Sequence, residues 1–165
     1  PGMKNRESKV LGMLSTLLSG GGSSRLSMKM VDAKKTAIQV AAYNMTMEDQ
    51  GMYITLALPN GGTALNDLLA DIDVEVDRVK TELISQKELT KLQNQFENEF
   101  VSANSSVIGI AENLANGYTF QDKNTSAINQ ELKIIQSITP EEIRDVARKY
   151  LNKKSRVVLY YLPKK

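Results

Sequence analysis

Apolar residues recur along this chain with two different periods, and the changes of period divide it. Val10, Leu14, Leu17 and Leu18 fall at i, i+4, i+7 and i+8, which predicts a helix over Asn5 to Leu18. Ser19-Gly20-Gly21-Gly22 stops it, and Ser23 or Ser24 is placed to cap a second helix carrying Leu26, Met30 and Ala33 inward. Beyond Lys34-Lys35 the spacing drops to two. Ile38, Val40 and Ala42 are predicted on one face of a strand, with Gln39, Ala41 and Tyr43 on the other. Met52, Ile54, Leu56 and Leu58 form one face of a second strand, and Glu48-Asp49-Gln50-Gly51 reads as the hairpin connection between the two. Pro59-Asn60-Gly61-Gly62 closes this part.

Helical spacing returns with Leu65, Leu68, Leu69, Ile72, Val76, Val79 and Leu83. Ser85-x-x-Glu88 is a capping box that starts a helix with Leu89, Leu92, Phe96, Phe100 and Ala103 inward. Ser102 to Ser106 is a polar weak point, after which Val107, Ile110, Ala111, Leu114 and Ala115 resume the pattern to a stop near Gly117. Ile128, Leu132 and Ile135 mark another helix. Thr139-Pro140-Glu141-Glu142 is the clearest local signal. It supplies an N-cap, a proline at the first helical position and a glutamate at N3, followed by Ile143, Val146, Ala147 and Tyr150 on the buried side. A final strand is expected over Arg156 to Leu162, before Pro163. The order predicts an α+β fold, with helices on one face of a mostly antiparallel sheet. Three strands are few for so many helices, so a further strand is expected ahead of Pro1.

Composition narrows the chemistry. The 165 residues suit one domain, and 41% apolar content supports a core that must be aliphatic, because aromatic residues make up only 5%. With 21 basic and 19 acidic residues the net charge is +2, which makes no case for nucleic acid. The basic cluster of Arg148, Lys149, Lys153, Lys154 and Arg156 is expected to be a solvated helix end. There is no cysteine and no histidine, so the chain offers neither thiolate nor imidazole to a metal and no base for a serine triad. No apolar run reaches the length needed to span a bilayer, and no signal-peptide pattern is present. The start at Pro1-Gly2, running almost directly into a helix, is expected of a piece of a longer chain.

Three features invite a sharper reading. Gly20-Gly21-Gly22-Ser23-Ser24-Arg25 lacks the preceding strand and the in-register lysine of a phosphate loop, and is expected to be a link between helices. Glu97, Glu99 and Glu112 are expected on solvated helix faces, and the methionines as core filler.

The run Leu17-Leu18-Ser19-Gly20-Gly21-Gly22-Ser23-Ser24-Arg25-Leu26 resembles the insulinase (pitrilysin-type) zinc metallopeptidases, which include mitochondrial processing peptidase. Glu88 to Phe96, Ala111 to Ala115, Ile138 to Ile143, Ala147 to Leu151 and Arg156 to Pro163 resemble the same family, in its bacterial two-domain form. The resemblance covers nearly the whole chain and implies half of a clamshell. One half holds zinc on an inverted His-x-x-Glu-His motif; the other faces it and helps hold the peptide. Lacking histidine, this chain is expected to be the second kind, a single C-terminal domain fragment over 1–165. Its implied partners are an HxxEH-bearing catalytic domain or subunit and a peptide substrate, with zinc only in that partner. In active members the facing half brings an Arg and a Tyr to the substrate, and here those positions fall on Val31 and Ile38. The substitution leaves an alternative, a structural or assembly module without proteolytic activity. A stand-alone binding domain would need a complete sheet within these residues. The family suggests a bacterial periplasmic setting.

Overall fold

The computed structural model describes residues 1–162. Helix α1 (Arg6–Ser19) is followed by a π-helical segment (Ser27–Ala33), the strands β1 (Ala37–Thr46) and β2 (Gly51–Pro59), and helices α2 (Leu65–Thr81), α3 (Gln86–Ala103), α4 (Val107–Phe120), α5 (Ile128–Gln136) and α6 (Pro140–Tyr150). The fold is α+β with an antiparallel sheet, as the periodicity predicts.

Asn5 starts α1 by accepting the Glu7 N–H at 2.8 Å. Val10, Leu11, Met13, Leu14, Leu17 and Leu18 are all buried, more of the circumference than a single stripe. The reason is position: α1 packs against β1, α3, α5 and α6 and forms the centre of the core. Both capping boxes form as expected, at Ser85/Glu88 and at Thr139/Glu142 with Pro140 opening α6. Each capping glutamate also has a second role. Arg6 holds Glu142 through two bonds of 2.7 and 3.0 Å, and Arg25 holds Glu88 through two of 2.9 and 3.1 Å. A local start signal thereby becomes a tertiary clamp onto the first third of the chain.

In the sheet, Val40 pairs with Ala57, Ala42 with Thr55 and Asn44 with Tyr53 on the face beneath the helices. Ala41 pairs with Leu56, Tyr43 with Ile54 and Met45 with Met52 on the opposite, open face. Ile38 does not share the face of Val40 and Ala42. An irregularity between Ala37 and Gln39 inserts one residue, so Ala37 turns inward and Ile38 is left 60% exposed.

Three further expectations change. Arg156–Leu162 is extended but joins no strand, and the sheet has two strands among the described residues. Alternation sets an extended conformation, whereas a strand exists only through a ladder partner. The segment is tied instead to α2: Arg156 and Lys153 both reach Asp73, and the Tyr160 hydroxyl donates to Asn66 at 2.9 Å. Pro163 lies outside the described residues. The weak point after α3 is a complete break, with Ser106 capping α4 by accepting the Gly109 N–H at 3.1 Å. Finally, α4 runs past Gly117 to Phe120; a Cβ at Gly117 would stand 2.9 Å from the Asn124 carbonyl, so a bare backbone is needed there. This helix keeps its apolar spacing yet stands largely in solvent, with Val107 85% exposed.

Candidate functional site

Val31 and Ile38 flank one turn. Val31 lies in the π-helical segment, Ile38 at the bulge that opens β1, and Lys34 to Thr36 connect them. The π geometry closes with Lys34 N–H donating to Lys29 O at 2.9 Å, and Lys35 then adopts a left-handed φ of 54°. Such a conformation in a non-glycine residue must be held by its surroundings. Two carboxylates of α2, Asp71 and Glu75, supply the hold. They sit one helical turn apart, both buried. Asp71 pairs with Lys34, and Glu75 pairs with Lys29 at 3.1 Å. The two pairs fix both ends of the π segment from behind. Neither carboxylate stands out in the sequence, where Asp71 and Glu75 look like the polar face of α2. Only the docking of a lysine-bearing turn against them makes them buried partners.

The turn presents its two marked residues differently. Val31 is partly buried against the core, and Ile38 projects into solvent. Neither side chain has a hydrogen-bonding group.

Arg25, the charged residue of the Ser-Ser-Arg-Leu run, points away from this turn. Its side chain is 13% exposed, and its guanidinium grips Glu88 at the start of α3. Burial alone would raise the Glu88 pKa, but the bonds from Arg25 and from the Ser85 N–H outweigh it and hold the carboxyl at about 2. Ser24 is buried and, instead of capping the next helix through its side chain, donates to the Gly21 carbonyl at 2.6 Å. Gly21 allows this loop its φ of 100°. The glycine-rich run is thus a structural joint, and its arginine a clamp.

The open face of the hairpin continues from Ile38. Tyr43, Met45, Met52, Leu56 and Leu58 are all substantially exposed there, side by side in register. The contiguous apolar surface carries no charged side chain along those pairs. Surfaces of this kind mark contact sites for other polypeptides.

The residue set does not suit zinc. Imidazole and thiolate are missing from the sequence, and among the described residues no three carboxylates converge on a point that could hold a metal.

Comparison with known proteins identifies the family and the fold. Residues 1–96 match the family model described as the peptidase M16 inactive domain. The zinc protease PqqE of Helicobacter pylori is 31% identical over 113 residues, which is 67% of this chain and 26% of that protein. The chain therefore spans about a quarter of that relative's length. A solved protease from Helicobacter pylori superposes with a TM-score of 0.84 at 26% identity, covering 92% of this chain and 36% of the other. The inactive peptidase domain of a protein assigned as a zinc protease in Bordetella parapertussis superposes with a TM-score of 0.87 at 17% identity, covering 100% of this chain and 88% of the other.

Proposed function

This chain belongs to the family of peptidase M16 inactive domains, and from that premise we propose that it forms the non-catalytic wall of a peptide-binding chamber. The zinc and its HxxEH motif would lie on a partner domain or subunit facing it. The observation that carries the reading is the open face of the β1–β2 hairpin. Helices cover one side of the two strands, while the other presents Tyr43, Met45, Met52, Leu56 and Leu58 uncovered. An extended peptide or an unfolded segment can lie on such a surface through apolar contacts that require no particular sequence. The domain contributes binding and orientation, which raise the rate of a reaction carried out elsewhere.

A specific observation favours a second reading. Val31 and Ile38 offer no donor to a peptide carbonyl or a developing oxyanion. A chain that keeps the fold without those donors serves equally well as an assembly module with no proteolytic role.

One experiment separates the two. In the parent protein together with its HxxEH-bearing partner, Tyr43, Met52 and Leu56 are replaced by serine, serine and threonine, and turnover of a long unstructured peptide is measured beside thermal melting. The chamber reading expects at least a fivefold fall in kcat/KM with the melting temperature unchanged. Unaltered turnover, or no turnover in the unmodified protein, favours the assembly module.

A further inference from the structure

A second feature lies on the other side of the sheet, among the helices, and is independent of the chamber. Where α1, the end of β1, α3 and α5 meet, they leave a cleft of about 240 Å³ that is open to solvent on one side. A cavity of about 150 Å³ is enough to accept benzene, so this cleft has room for a molecule the size of an amino acid. Its walls are chemically sorted. Lys9 of α1 and Glu131 of α5 pair with each other at its edge, both part-exposed. Ser8, Asn44 and Thr46 form a hydroxyl and amide wall. The Asn44 amide nitrogen donates to the Ser8 carbonyl at 3.0 Å and to the Thr46 hydroxyl at 3.0 Å. With its nitrogen so engaged, the Asn44 carbonyl oxygen remains as an acceptor. Met3, Phe96 and Ile135 make the apolar side.

We propose that this cleft binds a zwitterion of amino-acid size, with its ammonium on Glu131 and Asn44, its carboxylate on Lys9, and an apolar side chain against Phe96 and Ile135. The resident ion pair selects for this class. A ligand with a single charge could pair with only one of Lys9 and Glu131 and would strip the other of its partner. Both charges keep access to solvent, so the preference this gives is modest, and it favours a ligand that leaves neither charge unpaired. A zwitterion that inserts between them keeps every charge paired. An ammonium also needs several acceptors, and the carboxylate, amide oxygen and hydroxyls of this corner supply them.

Gly12 bears on the same space. It lies in the middle of α1, where glycine is among the weakest helix formers. A Cβ built there would meet only the Phe96 ring, at an ordinary 3.8 Å. Helix formation would favour alanine there and packing would accept its Cβ, so the bare position leaves this part of the cleft unfilled.

The test uses the full-length parent protein and L-leucine as probe, read by isothermal titration calorimetry. Saturable binding is expected, with N-acetyl-L-leucine and L-leucinamide at least tenfold weaker because each lacks one charge. Glu131→Gln should weaken leucine at least tenfold. Gly12→Leu should abolish binding by filling the cleft, with a native circular-dichroism spectrum and a cooperative melt separating loss of the site from loss of the fold. No saturable binding up to 20 mM of L-leucine, L-phenylalanine or L-methionine, equal affinity for the blocked derivatives, or full binding by a folded Gly12→Leu variant would each overturn the proposal.

Discussion

The two faces of the β1–β2 hairpin are built from the same strands, and both are apolar, yet their environments are opposite. Beneath the helices, Val40 and Ala42 are buried and Tyr53 and Ala57 pack against the core. On the open side the partners Ala41/Leu56, Tyr43/Ile54 and Met45/Met52 stand in register with most of their larger side chains in solvent. Met52, Ile54, Leu56 and Leu58, all the large aliphatic residues of β2, are on the open side. An ordinary one-sided sheet would reserve them for the core and place polar residues outward. The inward face combines Tyr53 with the small residues Ala42 and Ala57, and α1 approaches β1 closely, with the Ser19 hydroxyl taking the Ala42 N–H at 2.6 Å and donating to its carbonyl at 3.0 Å. The open face keeps its apolar area free for contact with something other than this chain's own core.

If that contrast is right, substitutions should separate cleanly by face. The largest effect belongs to the helix that covers the inward side. Leu14, fully buried in α1, should cost about 3–5 kcal/mol of stability on replacement by alanine, measured by denaturant unfolding. A loss below about 1 kcal/mol would mean that the covering layer is far looser than described.

Next comes the clamp that anchors this layer to α3. Arg25→Met should cost about 2 kcal/mol, since it removes two bonds to a charged group that stays partly buried. Acid should act on the same pair. The Glu88 carboxyl is depressed from an ordinary 4.5 to about 2, so its stabilisation is complete above about pH 4.5 and is lost as pH falls toward 2. The side chain is a third exposed, and solvent screening leaves a contribution on the order of 1–2 kcal/mol. Unfolding free energies between pH 5 and 2 should show this slope in the native chain and a flatter one in Arg25→Met.

Thr139→Ala should remove one side of the α6 capping box and cost about 1 kcal/mol, read as a lowered denaturation midpoint. The smallest effect on stability is expected from the open face. Leu56 is 55% exposed, so Leu56→Thr should change stability by no more than about 0.5 kcal/mol. Val40→Thr, on the inward face one step along, should cost more, because it buries a hydroxyl. Equal costs for these two would erase the contrast between the faces.

Much of the architecture was legible from residue patterns. Both capping boxes, the hairpin and the covered face of α6 follow from signals only a few residues long, and the polar run Ser102 to Ser106 marks where α3 weakens without showing that the helix ends there. The misreadings share a cause. Ile38 changes face because a bulge adds a single residue, and a period of two cannot reveal its own interruption. Arg156–Leu162 has strand spacing but no strand, because pairing is a property of two segments. Asp71 and Glu75 drew no reading at all, because only the lysines of the π segment make them buried partners. The cleft beside Gly12 has no signature at all, since its walls come from four separate elements.

The sequence by itself determined where helices start and stop, the α+β class, and the absence of any imidazole or thiolate for zinc, because caps, periodicity and composition act over one or two turns of chain. Tertiary structure alone decided which of two apolar strand faces would be covered, that Arg25 and Arg6 would lock the two capping glutamates, and that Lys9 and Glu131 would meet at the edge of a cleft. Those outcomes depend on side chains separated by as many as 136 positions, and only the packing of α1 at the centre of the fold brings them within bonding distance.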